Sequence, residues 1–221
     1  MIVLERGKLI VFEGLDLSGK STQMELLTKR FLRHPNVPVL FTKEPADYKI
    51  GKIIRSEFLS GKEKICDKAL FHLFLADHAE HIYGEKGILH YLEEGVHVIS
   101  DRYSLSTLVY QGKRLGEYSY VFGSIEGLIS TDPRIWPDLT IYIDVPIKEI
   151  LWRLSKRDEV TEIFETEEEL TKLKMSYDYC IHHWKDTYNI ISINGNRPMK
   201  EVEADIWKKV SSLLMIKEEE E

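Results

Sequence analysis

The chain of 221 residues lacks the features that mark several large classes of protein. Its only two cysteines, Cys66 and Cys180, lie far apart and outside any Cys-x-x-Cys or Cys/His cluster, so neither a zinc site nor a redox pair is expected. The formal net charge of -7 argues against nucleic acid as the main partner, because phosphate-backbone binding needs clustered positive charge. No segment approaches the roughly 18 apolar residues of a membrane span, and the charged start, Met1 to Lys8, is unlike a secretion signal. We expect a cytoplasmic protein that binds small molecules.

Short apolar segments alternate along the chain with longer segments of helical period. The apolar segments, which we predict as strands, are Leu9–Phe12, Val37–Phe41, Val96–Ser100, Leu139–Asp144 and Ile190–Ile193. The helical pattern covers Gly19–Arg33, Ile50–Phe58, Asp67–Glu94, Ile147–Lys156, Glu167–Tyr188 and Pro198–Ile216. Such alternation predicts βα units around a parallel sheet.

Length and composition suggest how these elements are organised. A chain of 221 residues with 43% apolar residues can bury one substantial core but not two ordinary ones. The near-continuous apolar strands suit a sheet covered by helices on both faces. We therefore predict a single α/β domain over residues 1–221, a three-layer sandwich in which helices flank a five-stranded parallel sheet.

The most specific motif follows the first predicted strand. Within residues 14–22, positions 14–21 fit G-x-x-x-x-G-K-[ST] at every fixed position. Such a loop wraps phosphate oxygens with backbone N–H groups at the positive end of the next helix. Lys20 is expected to neutralise the β and γ phosphates of ATP, and Ser21 to bind Mg²⁺. The alternative is a glycine-rich turn that opens a structural helix. The predicted ATP-binding residues of the loop are Gly14, Leu15, Asp16, Leu17, Ser18, Gly19, Lys20, Ser21 and Thr22.

Other segments decide which kind of P-loop protein this is. The chain has no N-K-x-D or T-K-x-D where a guanine-reading GTPase would carry one, and no predicted strand ends in the Asp-Glu pair of many ATPases. A dedicated hydrolase is therefore disfavoured. Instead, the third predicted strand ends in Asp101-Arg102-Tyr103, which brings an acid and a base to the carboxyl edge of the sheet, where ligands of open α/β sheets bind.

Four motifs together resemble those of the thymidylate kinase family. They are Phe12-Glu13-Gly14-Leu15-Asp16, Thr42-Lys43-Glu44-Pro45, Asp101-Arg102-Tyr103 with Tyr110-Gln111-Gly112, and Pro137-Asp138 followed by the strand Leu139–Asp144. The resemblance runs in the family's order over nearly the whole chain. It implies ATP- and Mg²⁺-dependent phosphorylation of dTMP to dTDP, a step of dTDP biosynthesis.

The resemblance also implies roles around the acceptor phosphate. Asp16 would approach the sugar 3′-hydroxyl, Arg102 would clamp the phosphate, and Asp101 would hold Mg²⁺ through water. A bidentate guanidinium suits such a clamp, although a surface salt bridge for Arg102 and a helix cap for Asp101 are the alternatives. Three further substrate-binding residues are implied: Lys43, where the family usually has arginine, Glu44, and Arg55, for which a solvated helical arginine is the alternative.

The same resemblance places a base pocket on the long predicted helix. Phe74 stands where the family stacks phenylalanine on thymine, and His78 where an arginine contacts the base. Residues four apart share a helix face, so the two could frame a base, although a core aromatic is the alternative for Phe74. Contacts to the base edge and discrimination against a 2′-hydroxyl are implied for four more residues: Ser106, Thr107, Tyr110 and Gln111.

A lid at about residues 154–166 is the last expectation from the resemblance. This P-loop lacks the arginine that some family members carry there, so Arg157 of the charged lid is the transition-state candidate. Arg153 is expected at the ATP base or phosphates. Arg197 lies in the segment Asn194–Pro198, where relatives border the adenine, and a simple turn is the alternative for that segment. A solvated helix end is the alternative for the lid arginines.

The expected protein is a homodimer, as is typical of the family. One alternative function is a kinase for another deoxynucleotide or a deoxynucleoside, suggested by His78 and Lys43. The other is a degenerate nucleotide-binding regulatory protein, suggested by a lid that has Glu162-Ile163-Phe164-Glu165 where the family usually has D-R-x-E.

Overall fold

The computed structural model of the protein describes residues 5–129, 132–156 and 166–216. Their centre is a sheet of five parallel strands, whose spatial order is β2-β3-β1-β4-β5. The strands are β1 Leu9–Glu13, β2 Val39–Lys43, β3 His97–Asp101, β4 Leu139–Asp144 and β5 Ile190–Asn194. All five predicted strands are present, with four of them shifted or extended by one or two residues towards the carboxyl edge.

Helices flank this sheet, which confirms the predicted three-layer α/β class. They are α1 Lys20–Phe31, α2 Lys49–Ile53, α3 Asp67–Tyr83, α4 Ile88–Glu93, α5 Ser104–Leu115, α6 Tyr118–Ile129, α7 Ile147–Leu154, α8 Glu167–Trp184 and α9 Met199–Leu213. A π-helical turn, Ile54–Leu59, continues α2, and a short 3₁₀ turn, Pro133–Ile135, precedes β4. Helix α5 packs against α3, α6 and α8, and α1 packs against α9.

Two helix predictions differ from the structure. The predicted single helix Asp67–Glu94 is wrong, because the chain leaves α3 at Gly84 and begins α4 after Gly87. Glycine is a poor helix former, and two of them within four residues are enough to interrupt the pattern. Helix α6 was missed, since Gly123, Gly127 and several aromatic residues weaken its helical signal.

The central strand shows why the sheet needs helices on both faces. Leu9, Ile10, Val11 and Phe12 are each at most 1% exposed, so residues pointing to both faces of β1 are buried. In the sheet register, Phe12 at the end of this strand pairs with Asp101 of β3 and with Ile141 of β4. The carboxyl ends of the strands therefore meet at one edge, next to the loop that follows β1. In the described part of the chain, no helix is long and apolar enough to cross a membrane.

The contact between α5 and α6 gives a test of this packing. A Cβ atom at Gly112 would lie 2.3 Å from Cδ1 of Tyr118, whose hydroxyl is anchored to Oγ of Ser176 at 2.8 Å. We predict that Gly112→Ala lowers the free energy of unfolding by about 1–3 kcal/mol, because the ring cannot move away freely. Urea unfolding measures the change.

Gly123→Ala is the matched control, since it also lies inside a helix but has no atom within 4 Å of the added methyl group. It should stabilise the protein by up to about 1 kcal/mol through helix propensity alone. Equal stabilisation by the two substitutions would contradict the close packing at Gly112.

Candidate active site

The loop between β1 and α1 has the shape of a phosphate cradle. Gly14 and Gly19 have φ values of +146° and +99°, which glycine adopts readily, and Leu17 adopts a left-handed φ of 64°. Gly19 precedes α1 and provides no side-chain cap, so the first N–H groups of that helix remain for an anion. The ammonium of Lys20 donates to the carbonyl oxygens of Gly14 and Leu15 at 3.0 and 2.9 Å.

The surroundings of Lys20 disfavour its charged form. Burial, and next the positive charge of Arg102, lower the pKa of Lys20 to about 8, although Asp16 and Asp101 act in the opposite direction. An anion bound in the loop would restore the charged form, since opposite charges at close range favour ionisation.

A cavity of about 580 Å³ opens directly above this loop, and we call it the P-loop cavity. The predicted donor-side residues Ser21, Thr22, Arg153 and Arg197 all line it. Arg153 donates to the carbonyl oxygens of Leu17 and Gly195 at 2.9 and 3.2 Å, so it bridges the loop and the end of β5. Arg197 is paired with Asp205 at the rim.

A second cavity of about 420 Å³ adjoins the first and is bordered by α5, so we call it the α5 cavity. Its walls are more apolar, as in most pockets for a base or another flat ligand. The predicted residues that line it are Glu44, Phe74, Ser106, Thr107 and Gln111. Four residues line both cavities: Asp16, Arg102, Tyr110 and Leu173.

Arg102 occupies the wall between the cavities. Its Nη2 lies 2.6 Å from Oδ1 of Asp16, its Nη1 donates to Tyr177 Oη at 3.1 Å, and its guanidinium lies over the Tyr110 ring at 5.3 Å. The φ of 67° is unusual for a residue with a side chain and is the kind of backbone strain that occurs at functional sites.

A buried carboxylate supports this arginine. Glu13 Oε1 accepts from the backbone N–H groups of Tyr103 and Ser106 at 3.0 and 3.1 Å, which caps the start of α5. Its Oε2 accepts from Tyr177 Oη at 3.0 Å and from the Ser106 hydroxyl at 2.6 Å. Burial raises the pKa of Glu13, and the nearby Arg102 only partly offsets that rise.

Glu13 and Tyr177 were not among the predicted site residues. An acid that directly follows an apolar strand and precedes a P-loop is a usable signal for Glu13. Tyr177 lies 164 positions away on α8, and no local pattern distinguishes it from a core tyrosine.

The predicted magnesium residues lie together beside the P-loop. Asp101 ends β3 and lines the P-loop cavity with Ser21. Oδ1 of Asp101 is buried and has no hydrogen-bond partner among the described residues. Such an atom fits a water in the shell of Mg²⁺, which is usually held by one or two protein groups and by substrate phosphates. The described residues contain no cluster of three or more His, Cys, Asp or Glu side chains that could hold a metal alone.

Two predicted phosphate ligands do not line either cavity. Arg55 donates to Pro45 O and lies 2.6 Å from Asp47, and Lys43 Nζ lies 3.3 Å from the same carboxylate. Both cations are near the loop that carries Glu44, on its outer side. Arg157 and most of the expected lid, residues 157–165, lie outside the described residues.

The predicted base-contacting His78 lies one layer behind the α5 cavity. It is only 2% exposed, with Nδ1 2.7 Å from Oε2 of Glu44 and Nε2 2.9 Å from Oγ1 of Thr107. Burial alone would lower the pKa of His78, but the negative charge of Glu44 outweighs this and raises it. Burial likewise opposes ionisation of Glu44, whose pKa is nevertheless lowered by His78 and His81.

Comparisons with known proteins identify the family that this chain resembles. The family model described as thymidylate kinase matches residues 12–206. A thymidylate kinase of Carboxydothermus hydrogenoformans is 42% identical over 159 residues, which are 70% of this chain and 73% of that protein. A probable thymidylate kinase of Pyrococcus abyssi is 36% identical over 95% of this chain and 98% of that protein. The solved structure of a thymidylate kinase from Candida albicans superimposes with a TM-score of 0.73 at 26% identity, covering 94% of this chain and 92% of that one.

The hydroxyl of Tyr177 provides a test of the buried support. We predict that Tyr177→Phe lowers the free energy of unfolding by about 1–3 kcal/mol, because Glu13 and Arg102 both lose a buried partner. Tyr179→Phe is the control: its ring is 41% exposed and loss of its hydroxyl should change stability by less than about 0.5 kcal/mol. Similar effects of the two substitutions in urea unfolding would contradict the role assigned to Tyr177.

Proposed function

This chain belongs to the thymidylate kinase family, and we propose that the two adjoining cavities carry out the family's reaction. In it, the γ-phosphoryl group of ATP passes to dTMP, and the products are ADP and dTDP. The protein is thus a phosphotransferase. The observation that supports this placement is the common wall, in which Asp16, Arg102 and Tyr110 border both cavities. Two nucleotides whose phosphates meet at one arginine are arranged for direct transfer rather than hydrolysis.

The donor nucleotide occupies the P-loop cavity. The N–H groups of residues 14–22 and the ammonium of Lys20 surround the β and γ phosphates. Lys20 then exchanges its bonds to the Gly14 and Leu15 carbonyls for bonds to phosphate oxygens. Arg153 and Arg197 border the rest of the nucleotide.

Ser21 and, through water, Asp101 would hold Mg²⁺, which neutralises the charge that develops on the transferring phosphoryl group. The buried Oδ1 of Asp101, which has no hydrogen-bond partner among the described residues, supports this assignment. Among the described residues, Lys20 and Arg102 are the side-chain cations that lie near the reacting oxygens in this proposal.

The acceptor nucleotide occupies the α5 cavity. Arg102 holds its phosphate with the two ends of the guanidinium, because both cavities are open to it and Tyr110 and Tyr177 fix its plane. Asp16 lies on the same wall and receives the sugar 3′-hydroxyl. No general base is required, since the acceptor phosphate is already nucleophilic at neutral pH.

The thymine base lies between Phe74 and the polar face of α5. Phe74 is partly buried and lines the cavity, so a flat ring can stack on it. Ser106, Thr107, Tyr110 and Gln111 provide the polar atoms around the base and sugar. Glu44 closes the far wall.

The remaining expectations belong to the same proposal. Residues 1–221 form one domain in which a lid at about 154–166 closes over ATP and excludes water. Arg157 from that lid stabilises the transferring phosphoryl group. Lys43 and Arg55 strengthen the positive field near the acceptor phosphate. We place the protein in the cytoplasm, as a homodimer.

An acceptor panel tests the assigned reaction. ADP release from ATP and Mg²⁺ should be fastest with dTMP when it is compared with dUMP, dCMP, dGMP, dAMP, UMP and thymidine. Lys20→Met should reduce the rate with dTMP by at least about 100-fold, since it removes a cation from the phosphate site. Faster turnover of another acceptor would show that dTMP is not the preferred substrate. ADP release that does not depend on an acceptor would contradict the two-cavity mechanism.

The pKa of Lys20 leads to a second test. In the free protein this pKa is lowered to about 8, and bound phosphates must raise it. At about pH 8.5, where much of Lys20 is neutral before binding, Mg-ATP binding should therefore take up most of one proton. At about pH 7 Lys20 is already charged and should take up almost none. Calorimetric titrations in buffers of different ionisation enthalpy measure the uptake, and equal values at the two pH conditions would contradict the assigned pKa.

A further inference from the structure

Glu44 lies between two histidines of α3, each of which also contacts a threonine. Its Oε2 is 2.7 Å from Nδ1 of His78, and its Oε1 is 3.0 Å from Nδ1 of His81. On their other sides, Nε2 of His78 lies 2.9 Å from Oγ1 of Thr107, and Nε2 of His81 lies 2.8 Å from Oγ1 of Thr42. The two histidine–threonine pairs are thus alike in chemistry, but only Thr107 lines the α5 cavity.

The carboxylate fixes one proton on each ring. An ionised Glu44 can only accept, so Nδ1 of His78 and of His81 must carry hydrogen. For His78 this is a close ionic contact whose N–H direction departs from that of a well-formed hydrogen bond. The proton that remains variable on His78 is therefore the one on Nε2, which is the nitrogen that meets Thr107.

That variable proton decides what Thr107 offers to the cavity. When Nε2 of His78 carries hydrogen, it donates to Oγ1 of Thr107, and the threonine hydrogen is free to point elsewhere. When Nε2 is bare, it is an acceptor, and Thr107 must donate its own hydrogen to it. The threonine then presents only oxygen lone pairs to a ligand.

The neighbouring polar group on α5 has no such preference. Gln111 lies four residues after Thr107, so the two share a face of α5 and both line the cavity. Its side chain is buried, and Oε1 has no hydrogen-bond partner among the described residues. Rotation of this amide allows it to bind either a donor or an acceptor of the ligand. Thr107 is different, because its contact with His78 decides whether its hydroxyl donates or accepts towards the cavity.

We propose that His78 is a specificity-determining positioning residue, which makes Thr107 a hydrogen-bond donor towards the carbonyl group at position 4 of a pyrimidine. Thymine and uracil carry a carbonyl there, and cytosine carries an amino group, which would face the donor hydrogen and be rejected. The inference rests on the proposed function, because it assumes that the base of the acceptor occupies the α5 cavity. His78 itself does not touch the base.

The surroundings of His78 favour the donating state, in which Nε2 carries hydrogen. After the opposing effect of burial, Glu44 is the largest influence on the pKa of His78 and raises it, with Asp77 and Glu13 acting in the same direction. The imidazolium therefore persists to a higher pH than that of an exposed histidine, and it loses its proton as the pH rises through this raised pKa. The titratable groups that act on the ring are Glu44, Asp77 and Glu13, together with Tyr103, whose ring is 5.7 Å away. His81 shares the carboxylate of Glu44 with His78.

Equilibrium binding of dTMP, dUMP and dCMP between about pH 6 and pH 8.5 tests the proposal. The ratio of the dCMP and dTMP dissociation constants should be largest at low pH and fall by roughly tenfold as His78 loses its proton. The ratio for dUMP and dTMP should not change, because these bases have the same carbonyl. The midpoint should coincide with the ionisation of His78 observed by ¹⁵N NMR.

Thr107→Val and Thr42→Val separate the proposed role from a structural one. Both remove a hydroxyl that contacts a histidine bound to Glu44, but only Thr107→Val should abolish the pH dependence of the dCMP to dTMP ratio. His78→Gln, which is neutral at every pH, should abolish it as well. Thr107→Val keeps the test valid if His78→Gln does not fold.

Two outcomes would overturn the inference while leaving the kinase assignment intact. One is a ratio that stays flat or rises with pH although dTMP binds and is phosphorylated, and the other is loss of the pH dependence in Thr42→Val. If no nucleoside monophosphate binds or is phosphorylated, the proposed function fails, and the inference fails with it.

Discussion

The buried carboxylate of Glu13 is the interaction on which the rest of the site depends. It ends the central strand, directly before the phosphate loop, and caps the first turn of α5 through two backbone N–H groups. Through Tyr177 it also ties α8 to Arg102. A carboxylate without these partners would be strongly unfavourable at full burial. The same bonds that satisfy it therefore hold β1, α5 and α8 in the positions that the two cavities require.

Around this support, a chain of net charge -7 gathers its positive groups locally. The positive charge of Arg102 lowers the pKa of Lys20, and the carboxylates of Asp16 and Asp101 oppose this effect. The overall negative charge and the positive site do not conflict, because a small anionic ligand meets only the local field. The acidic surface instead disfavours long polyanions.

How far the sequence predicted this site depends on how local each signal is. The residues of the phosphate loop are contiguous, so the motif and its position after a strand predict them from the sequence alone. Arg102 was predicted because it follows a strand whose carboxyl end is expected at the ligand edge. The Glu13–Tyr177 bond joins residues 164 positions apart, and pairing at that separation depends on packing that no periodicity reveals. The sequence predicts a helix at His78, and the structure places the residue on α3. Its position one layer behind the α5 cavity depends on its contact with Glu44, which follows β2 and is distant from α3 in the sequence. The role of Arg157 stays a prediction.

The position of Arg102, which borders both cavities, has a thermodynamic consequence. Its guanidinium contacts Asp16, a residue of the phosphate loop. In the proposed function, an acceptor phosphate in the α5 cavity that draws the guanidinium away would alter the electrostatic environment of the P-loop cavity. The two binding equilibria are then linked, and whatever factor the acceptor imposes on donor affinity, the donor must impose on acceptor affinity. The order in which the substrates arrive can affect the rate of assembly, but not the stability of the ternary complex.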